Sequence, residues 1–99
     1  MATATRDLDE VRRIVFEELR GIEAKVYLFG SWARNQARRY SDIDVGILAA
    51  GPLPPEVLLD LAEKLDQSEV LYPVDLVDLA NAPASLRNRV LEEGILWNG

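Results

Sequence analysis

The sequence contains no cysteine and no histidine. These absences exclude disulfide bonds, thiolate zinc sites, cysteine or histidine nucleophiles and imidazole bases. Any metal ion that the chain binds must therefore be held by oxygen ligands. Such a ligand set is suited to magnesium or manganese.

Long apolar segments are also missing. No apolar run approaches the roughly 18 to 20 residues that a membrane-spanning helix needs, and the amino terminus has no apolar signal segment. We therefore expect a cytoplasmic protein with no membrane partner. The length of 99 residues and the hydrophobic content of 48% predict one folded domain over residues 1–99.

Positive charge is scarce, with a formal net charge of −6. This balance argues against long nucleic acid as a partner, because binding to a phosphate backbone depends on clustered lysine and arginine. Arg34, Arg38 and Arg39 are a local exception within one short stretch. Composition alone leaves two interpretations of this stretch open, a solvated surface and part of a binding site.

Apolar residues recur with alternating helical and strand periodicity along the chain. Helices are predicted over residues 6–20, 31–38 and 56–67 and from Pro83 to Gly94, and strands over residues 25–29, 42–49 and 73–79. The apolar tail over residues 95–97 is predicted to be either an edge strand or a packing contact. This order predicts an α/β fold in which about four helices flank a small sheet.

The stretch between the first two predicted strands carries the strongest chemical signal. Gly30 and Ser31 follow an apolar run, which predicts a strand that leads into a helix capped by Ser31, with free backbone N–H groups that can hold phosphate. Asp42 and Asp44 are two positions apart on a predicted strand, so both carboxylates project from one face. Two adjacent acids repel each other unless a cation lies between them.

A third carboxylate is expected from the third strand. Asp75 and Asp78 are three positions apart, so they point to opposite faces and only one of them can join the first two acids. The periodicity leaves the choice open. Three carboxylates beside a phosphate-binding turn can hold two hard cations on a nucleoside triphosphate, which suits phosphoryl or nucleotidyl transfer.

The motif formed by Gly30-Ser31, ten intervening residues and Asp42-Ile43-Asp44 resembles the signature of the DNA polymerase beta-type nucleotidyltransferase superfamily. The small size is similar to that of its minimal, antitoxin-like branch. The resemblance implies a polymerase beta-like nucleotidyltransferase fold with a small mixed β-sheet. Asn35 stands where such sequences often have glycine, and asparagine tolerates a left-handed backbone better than other non-glycine residues.

Site roles follow from this resemblance position by position. The residues implied to contact the triphosphate are Gly30, Ser31 and Arg34, and those implied to bind magnesium are Asp42, Asp44 and Asp75. Asp78 is the fallback for the third acid. Two magnesium ions are expected, with manganese as the alternative, and Asp75 would also help an acceptor hydroxyl to lose its proton.

The resemblance further implies an activity and a partner. The activity is transfer of a nucleoside monophosphate, commonly AMP from ATP, to a hydroxyl, and the implied acceptor is a tyrosine of a small helical HEPN-domain ribonuclease toxin. The chain would then be an antitoxin in a hetero-oligomer. Two alternatives are a non-catalytic antitoxin or binding module that neutralises its partner by occlusion, and a nucleotide- or metal-binding regulator. The grouped acids favour transfer, because occlusion needs no mutually repelling carboxylates.

Overall fold

The computed structural model describes residues 2–37 and 41–98 of the chain. The helices are α1 (Ala2–Glu18), α2 (Pro55–Asp66) and α3 (Ala84–Glu93), and the strands are β1 (Ala24–Phe29), β2 (Ile43–Ala49), β3 (Val74–Asp78) and β4 (Ile95–Leu96). A short 3-10 helix, Leu79–Asn81, follows β3. No helix within these described ranges is long and apolar enough to cross a membrane.

The four strands form one mixed sheet in the order β3-β2-β1-β4. The central strand β1 is antiparallel to both β2 and β4, whereas β2 and β3 are parallel. This arrangement confirms the predicted small mixed sheet. The apolar tail is an edge strand, and the chain continues along β1 beyond it, where the Trp97 N–H donates to the Val26 carbonyl at 2.8 Å.

The face of the sheet that packs against α1 and α2 forms the main core. Its buried side chains are Val11, Ile14, Val15 and Leu19 of the α1 segment, Val26 and Leu28 of β1, Ile43, Val45 and Ile47 of β2, and Leu61 and Leu65 of α2. Each aliphatic side chain buried in this way contributes about 1.5–3 kcal/mol to folding. An ion pair between Lys64 and Glu18 also joins the two helices.

The opposite face of the sheet packs against α3 and the 3-10 helix around Tyr27, Leu79 and Val90. Gly46 makes room for this layer, because a Cβ at that position would lie 2.9 Å from Leu79 Cδ1. Successive strand residues point to opposite faces, so Asp44 shares this second face with position 46. The predicted site therefore lies on the α3 side of the sheet.

The predicted helix over residues 31–38 is absent from the described part of that segment. Residues 30–35 form consecutive turns instead. The left-handed backbone at Asn35 (φ 57°) lies inside the predicted range, and no right-handed α-helix can contain it. Gly30, just before that range, is left-handed as well (φ 74°). Ser31 therefore caps no helix there; its carbonyl accepts a hydrogen bond from the Gln36 N–H at 2.8 Å. Arg38 lies outside the described residues.

The remaining predicted elements are present with boundaries shifted by a few residues. The helix predicted to begin at residue 6 already begins at residue 2. Of the about four helices expected, the described ranges hold three α-helices and the single 3-10 helix.

Candidate active site

Gly30 brings the turn after β1 onto the carboxylate of Asp44. Phe29 of β1 pairs with Asp44 of β2, so the next residue along the chain lies beside that side chain. A Cβ at Gly30 would stand 2.1 Å from Asp44 Oδ2, a distance that no real side chain could keep. This close approach and the left-handed φ of 74° both favour glycine at this position.

Trp32 anchors the same turn to the starts of β2 and β3. Its Nε1–H donates to the Ser41 carbonyl at 3.3 Å. Its ring packs edge-on against Tyr72, with 5.0 Å between the ring centroids and an interplanar angle of 76°. Nothing in the spacing of Tyr72 predicts this contact, because the ring comes from a loop far along the chain.

The strand register brings Asp44 and Asp75 together. The two residues are Cα partners in the parallel pairing of β2 with β3. They lie side by side on the α3 face of the sheet, with Asp44 half-buried and Asp75 exposed. Asp42 is exposed and lies immediately before β2. All three acids therefore lie at one end of the sheet, next to the turn that begins at Gly30.

The electrostatics of this end are dominated by negative charge. Burial, and then the charges of Asp75 and Asp42, raise the pKa of Asp44 above its ordinary value, while Arg34 opposes this shift. Within the described residues, no group donates a hydrogen bond to these three carboxylates. A group of acids that lacks hydrogen-bond donors and is only partly balanced by one arginine is typical of sites that bind cations.

Asp78, the other acid of β3, lies in a different environment. Its carboxylate accepts hydrogen bonds from the Ala80 N–H at 3.3 Å and from Asn81 Nδ2 at 2.7 Å, and so caps the 3-10 helix. Its partner across the ladder is Ile47, three positions from Asp44. The structure therefore brings Asp75, and not Asp78, next to Asp44.

The donor chemistry of this end fits a hard divalent cation. In the described ranges, no three acidic side chains are already gathered closely enough to enclose a metal ion. Asp42 and Asp75 are both exposed, however, so core packing does not fix the rotamers of their side chains. Carboxylate oxygens are the ligands that magnesium and manganese prefer.

Arg34 lies on the other side of Gly30 and faces α3. Its Nη1 is 3.7 Å from Glu93 Oε1, and its Nε–H donates to Gln36 Oε1 at 3.3 Å. The neighbouring arginines of the predicted basic stretch, Arg38 and Arg39, lie outside the described residues.

A cavity of about 160 Å³ separates this turn from α3. The lining residues are Phe29, Gly30, Arg34, Leu86, Arg89, Val90 and Glu93. Sequence reasoning missed Arg89 and Glu93. The signal that was present is their spacing of three and seven positions from Leu86, which places all three on one helix face.

Residues 14–97 match the family model for polymerase beta nucleotidyltransferases. The chain belongs to this family. The matched range holds all four strands, the turn at Gly30 and the three acids. Nucleotidyltransferases of this family use a divalent metal ion, which agrees with the donor set described above.

Similar proteins include the protein adenylyltransferase MntA of Shewanella oneidensis, which is 42% identical over 73 residues, or 73% of this chain and 52% of the relative. The chain thus spans about half the length of that relative. The crystal structure of a toxin–antitoxin with AMP-PNP matches with a TM-score of 0.70 and 34% identity, over 88% of this chain and 72% of that chain. A structure of the tri-AMPylated Shewanella oneidensis HEPN toxin in complex with the MNT antitoxin matches with a TM-score of 0.70 and 28% identity, over 96% and 71%.

Proposed function

We propose that this chain is a magnesium-dependent protein adenylyltransferase of the cytoplasm, which transfers AMP from ATP to a tyrosine hydroxyl of a HEPN-type toxin and so acts as its antitoxin. One observation carries the proposal. Asp44 pairs directly with Asp75, and the turn at Gly30 packs against the Asp44 carboxylate. This arrangement supports the proposal because its carboxylates would hold a cation beside a turn that can hold phosphate.

The nucleotide and the partner are proposed from the relatives. The 42% identical relative is a protein adenylyltransferase, and the similar solved structures contain AMP-PNP in one case and an AMPylated HEPN toxin in another. The chain is expected to form a hetero-oligomer with such a toxin.

Asp42, Asp44 and Asp75 would hold the metal, as two magnesium ions with manganese as the alternative. A bound cation of this kind neutralises phosphate charge and lowers the pKa of an attacking hydroxyl. The three carboxylates would supply the negative charge that binds the cations and would fix the positions of the cations relative to the phosphates. Burial, and then the charges of Asp75 and Asp42, raise the pKa of Asp44, and the second of these causes supports the assignment because it reflects carboxylates close enough to repel one another.

The remaining roles belong to the turn and to Asp75. Backbone N–H groups of Gly30 and Ser31, together with the Arg34 guanidinium, would orient the triphosphate. The acceptor oxygen then attacks the α-phosphorus, the bond to pyrophosphate breaks, and the hydroxyl proton passes to Asp75. The exposure of Asp75 supports this role, because an acceptor on another protein can reach it.

The test is label transfer from α-labelled ATP to the purified HEPN-type partner. We expect the wild-type chain to label the partner and Asp44→Asn to lower the initial rate at least about 100-fold, because an electrostatic group at the reacting phosphate is lost. Asp9→Asn is the matched control, since Asp9 is exposed on α1 and makes the same change of charge away from the site.

Equal labelling by wild-type and Asp44→Asn proteins would refute the proposed site. An Asp44→Asn protein that labels nothing but still silences the toxin would show that occlusion neutralises the partner. Far-UV circular dichroism of each variant separates both outcomes from unfolding.

A further inference from the structure

The cavity between the turn and α3 is not explained by the three acids. It opens at Gly30 on the same face of the sheet as Asp44, because Phe29 and Val90 line it and both belong to the α3 layer. One glycine therefore borders two regions of opposite charge. The acids lie on one side of it, and Arg34 and Arg89 line the cavity on the other.

The two arginines differ in their partners. Arg34 is paired with Glu93 at 3.7 Å, and both side chains are about half exposed, at 47% and 51%. Arg89 is exposed and, within the part of the chain that the structure describes, makes no hydrogen bond or ion pair. An unpaired guanidinium presents five N–H donors in a planar fork, a geometry that matches phosphate oxygens.

We propose that Arg89 of α3, together with Arg34, binds the β- and γ-phosphates of the nucleoside triphosphate in this cavity and so holds the pyrophosphate that leaves. The inference rests on the proposed function only in that the site takes a triphosphate. The triphosphate and the three carboxylates together carry more negative charge than two divalent cations supply. The two arginines supply positive charge on the side of Gly30 that faces away from the acids.

Glu93 limits this binding. Among the described residues that line the cavity, its carboxylate is the one acidic group, and it would repel a phosphate that enters. Its ion pair with Arg34 is exposed and therefore contributes little to the position of that arginine. Removal of the Glu93 charge should accordingly strengthen phosphate binding.

The experiment is calorimetric binding of inorganic pyrophosphate, in buffer with magnesium, to the full chain. We expect Arg89→Gln to raise the dissociation constant about tenfold, the effect of losing one charge-assisted hydrogen bond pair at an exposed site. Arg87→Gln is the matched control, because Arg87 lies two positions away on the same helix and does not line the cavity. It should bind within about twofold of wild type. Glu93→Gln should bind more tightly than wild type.

Several results would overturn this inference. They are no pyrophosphate binding by the wild-type chain, equal binding by Arg89→Gln and wild type, or equal weakening by Arg87→Gln. Phosphate-free adenosine distinguishes the nucleobase as occupant: if Arg89→Gln weakens adenosine binding as much as pyrophosphate binding, the cavity holds the base and the assignment is wrong.

Label transfer separates this inference from the proposed function. A wild-type chain that binds pyrophosphate through Arg89 but labels no partner would support the phosphate site and refute the adenylyltransferase. Label transfer that depends on Asp44, together with pyrophosphate binding that does not depend on Arg89, would support the adenylyltransferase and refute the phosphate site at Arg89.

Discussion

The two ends of the sheet contain the same kinds of residue in opposite situations. Each end has an aspartate of β3 and a glycine with a left-handed backbone that flanks β1. At the far end, the Asp78 carboxylate accepts two hydrogen bonds and caps the 3-10 helix, and a Cβ added at Gly21 would have no atom within 4 Å. At the site end, Asp75 lies opposite Asp44, and Gly30 lies close against the Asp44 carboxylate. At the far end, the polar groups of Asp78 are satisfied by neighbouring residues of the chain. At the site end, the excess negative charge is left for a bound cation to neutralise.

The sharpest test of this difference compares alanine at the two aspartates of β3. Asp75→Ala should lower label transfer at least about 100-fold and leave the melting temperature unchanged or raised, because it removes a carboxylate that repels Asp44. Asp78→Ala should keep label transfer and lose about 1 kcal/mol of stability, because the 3-10 helix loses its cap. Initial rates of label transfer, melting temperatures and denaturant midpoints are measured on both proteins.

Transfer that survives Asp75→Ala and is lost in a folded Asp78→Ala protein would reverse the assignment. The third carboxylate would then be Asp78, the fallback, and the two ends of the sheet would have to exchange their roles.

The two glycines provide a second test of the same difference. Alanine at Gly21 (φ 85°) or at Gly30 (φ 74°) costs about 1–2 kcal/mol, because each forces a side chain into the left-handed region. Only Gly30→Ala also drives a Cβ into Asp44 Oδ2. We expect Gly30→Ala to lose more stability than Gly21→Ala and to abolish magnesium-dependent ATP binding, which Gly21→Ala retains. Denaturant unfolding and ATP calorimetry measure these two effects.

Equal ATP binding by both glycine variants would show that the contact of Gly30 with Asp44 does not shape the nucleotide site. Equal losses of stability would show that the neighbouring carboxylate moves aside without cost.

Local pattern predicts the strands of this site but not their register. The alternation of Asp42 and Asp44 with apolar residues predicts β2, and the apolar run around Asp75 predicts β3. Which acid of β3 faces Asp44 depends on the pairing of two strands about 30 residues apart. A register slip of one position would turn every side chain of β3 to the other face, and no local pattern excludes that slip.

The helix predicted over residues 31–38 is interrupted at Asn35, where the backbone is left-handed. The turn just before it packs through Gly30 against the Asp44 carboxylate, and this contact comes from a different strand. Arg89 was missed because only the packing of α3 over β1 brings it to the cavity at Gly30. Asn35 is the converse case. Its side chain type predicts a tolerated left-handed backbone, and its φ is 57°.

Magnesium should stabilise the folded chain through the acids of the site end, so its effect should depend on Asp44 and not on Asp78. A cation that binds only the folded chain stabilises it by about 1.4 kcal/mol at ten times its dissociation constant, which raises the melting temperature by several degrees. We expect this rise in the wild-type protein and in Asp78→Ala, and its loss in Asp44→Asn. Differential scanning fluorimetry with and without millimolar magnesium measures the shift, and an equal shift in Asp44→Asn would place the cation elsewhere.

The smallest expected effect is the pH dependence that Asp44 adds to stability. Burial and the charges of Asp75 and Asp42 raise its pKa in the folded chain above the ordinary 3.8, so the folded state holds the proton more tightly than the unfolded state. The stabilisation from this proton is complete below pH 3.8 and is lost as the pH rises through the raised value. The melting temperature of wild type should therefore fall relative to that of Asp44→Asn as the pH increases above about 4. A relative gain over the same range would mean that the charge of Arg34 outweighs both the burial of Asp44 and the charges of its two neighbouring carboxylates.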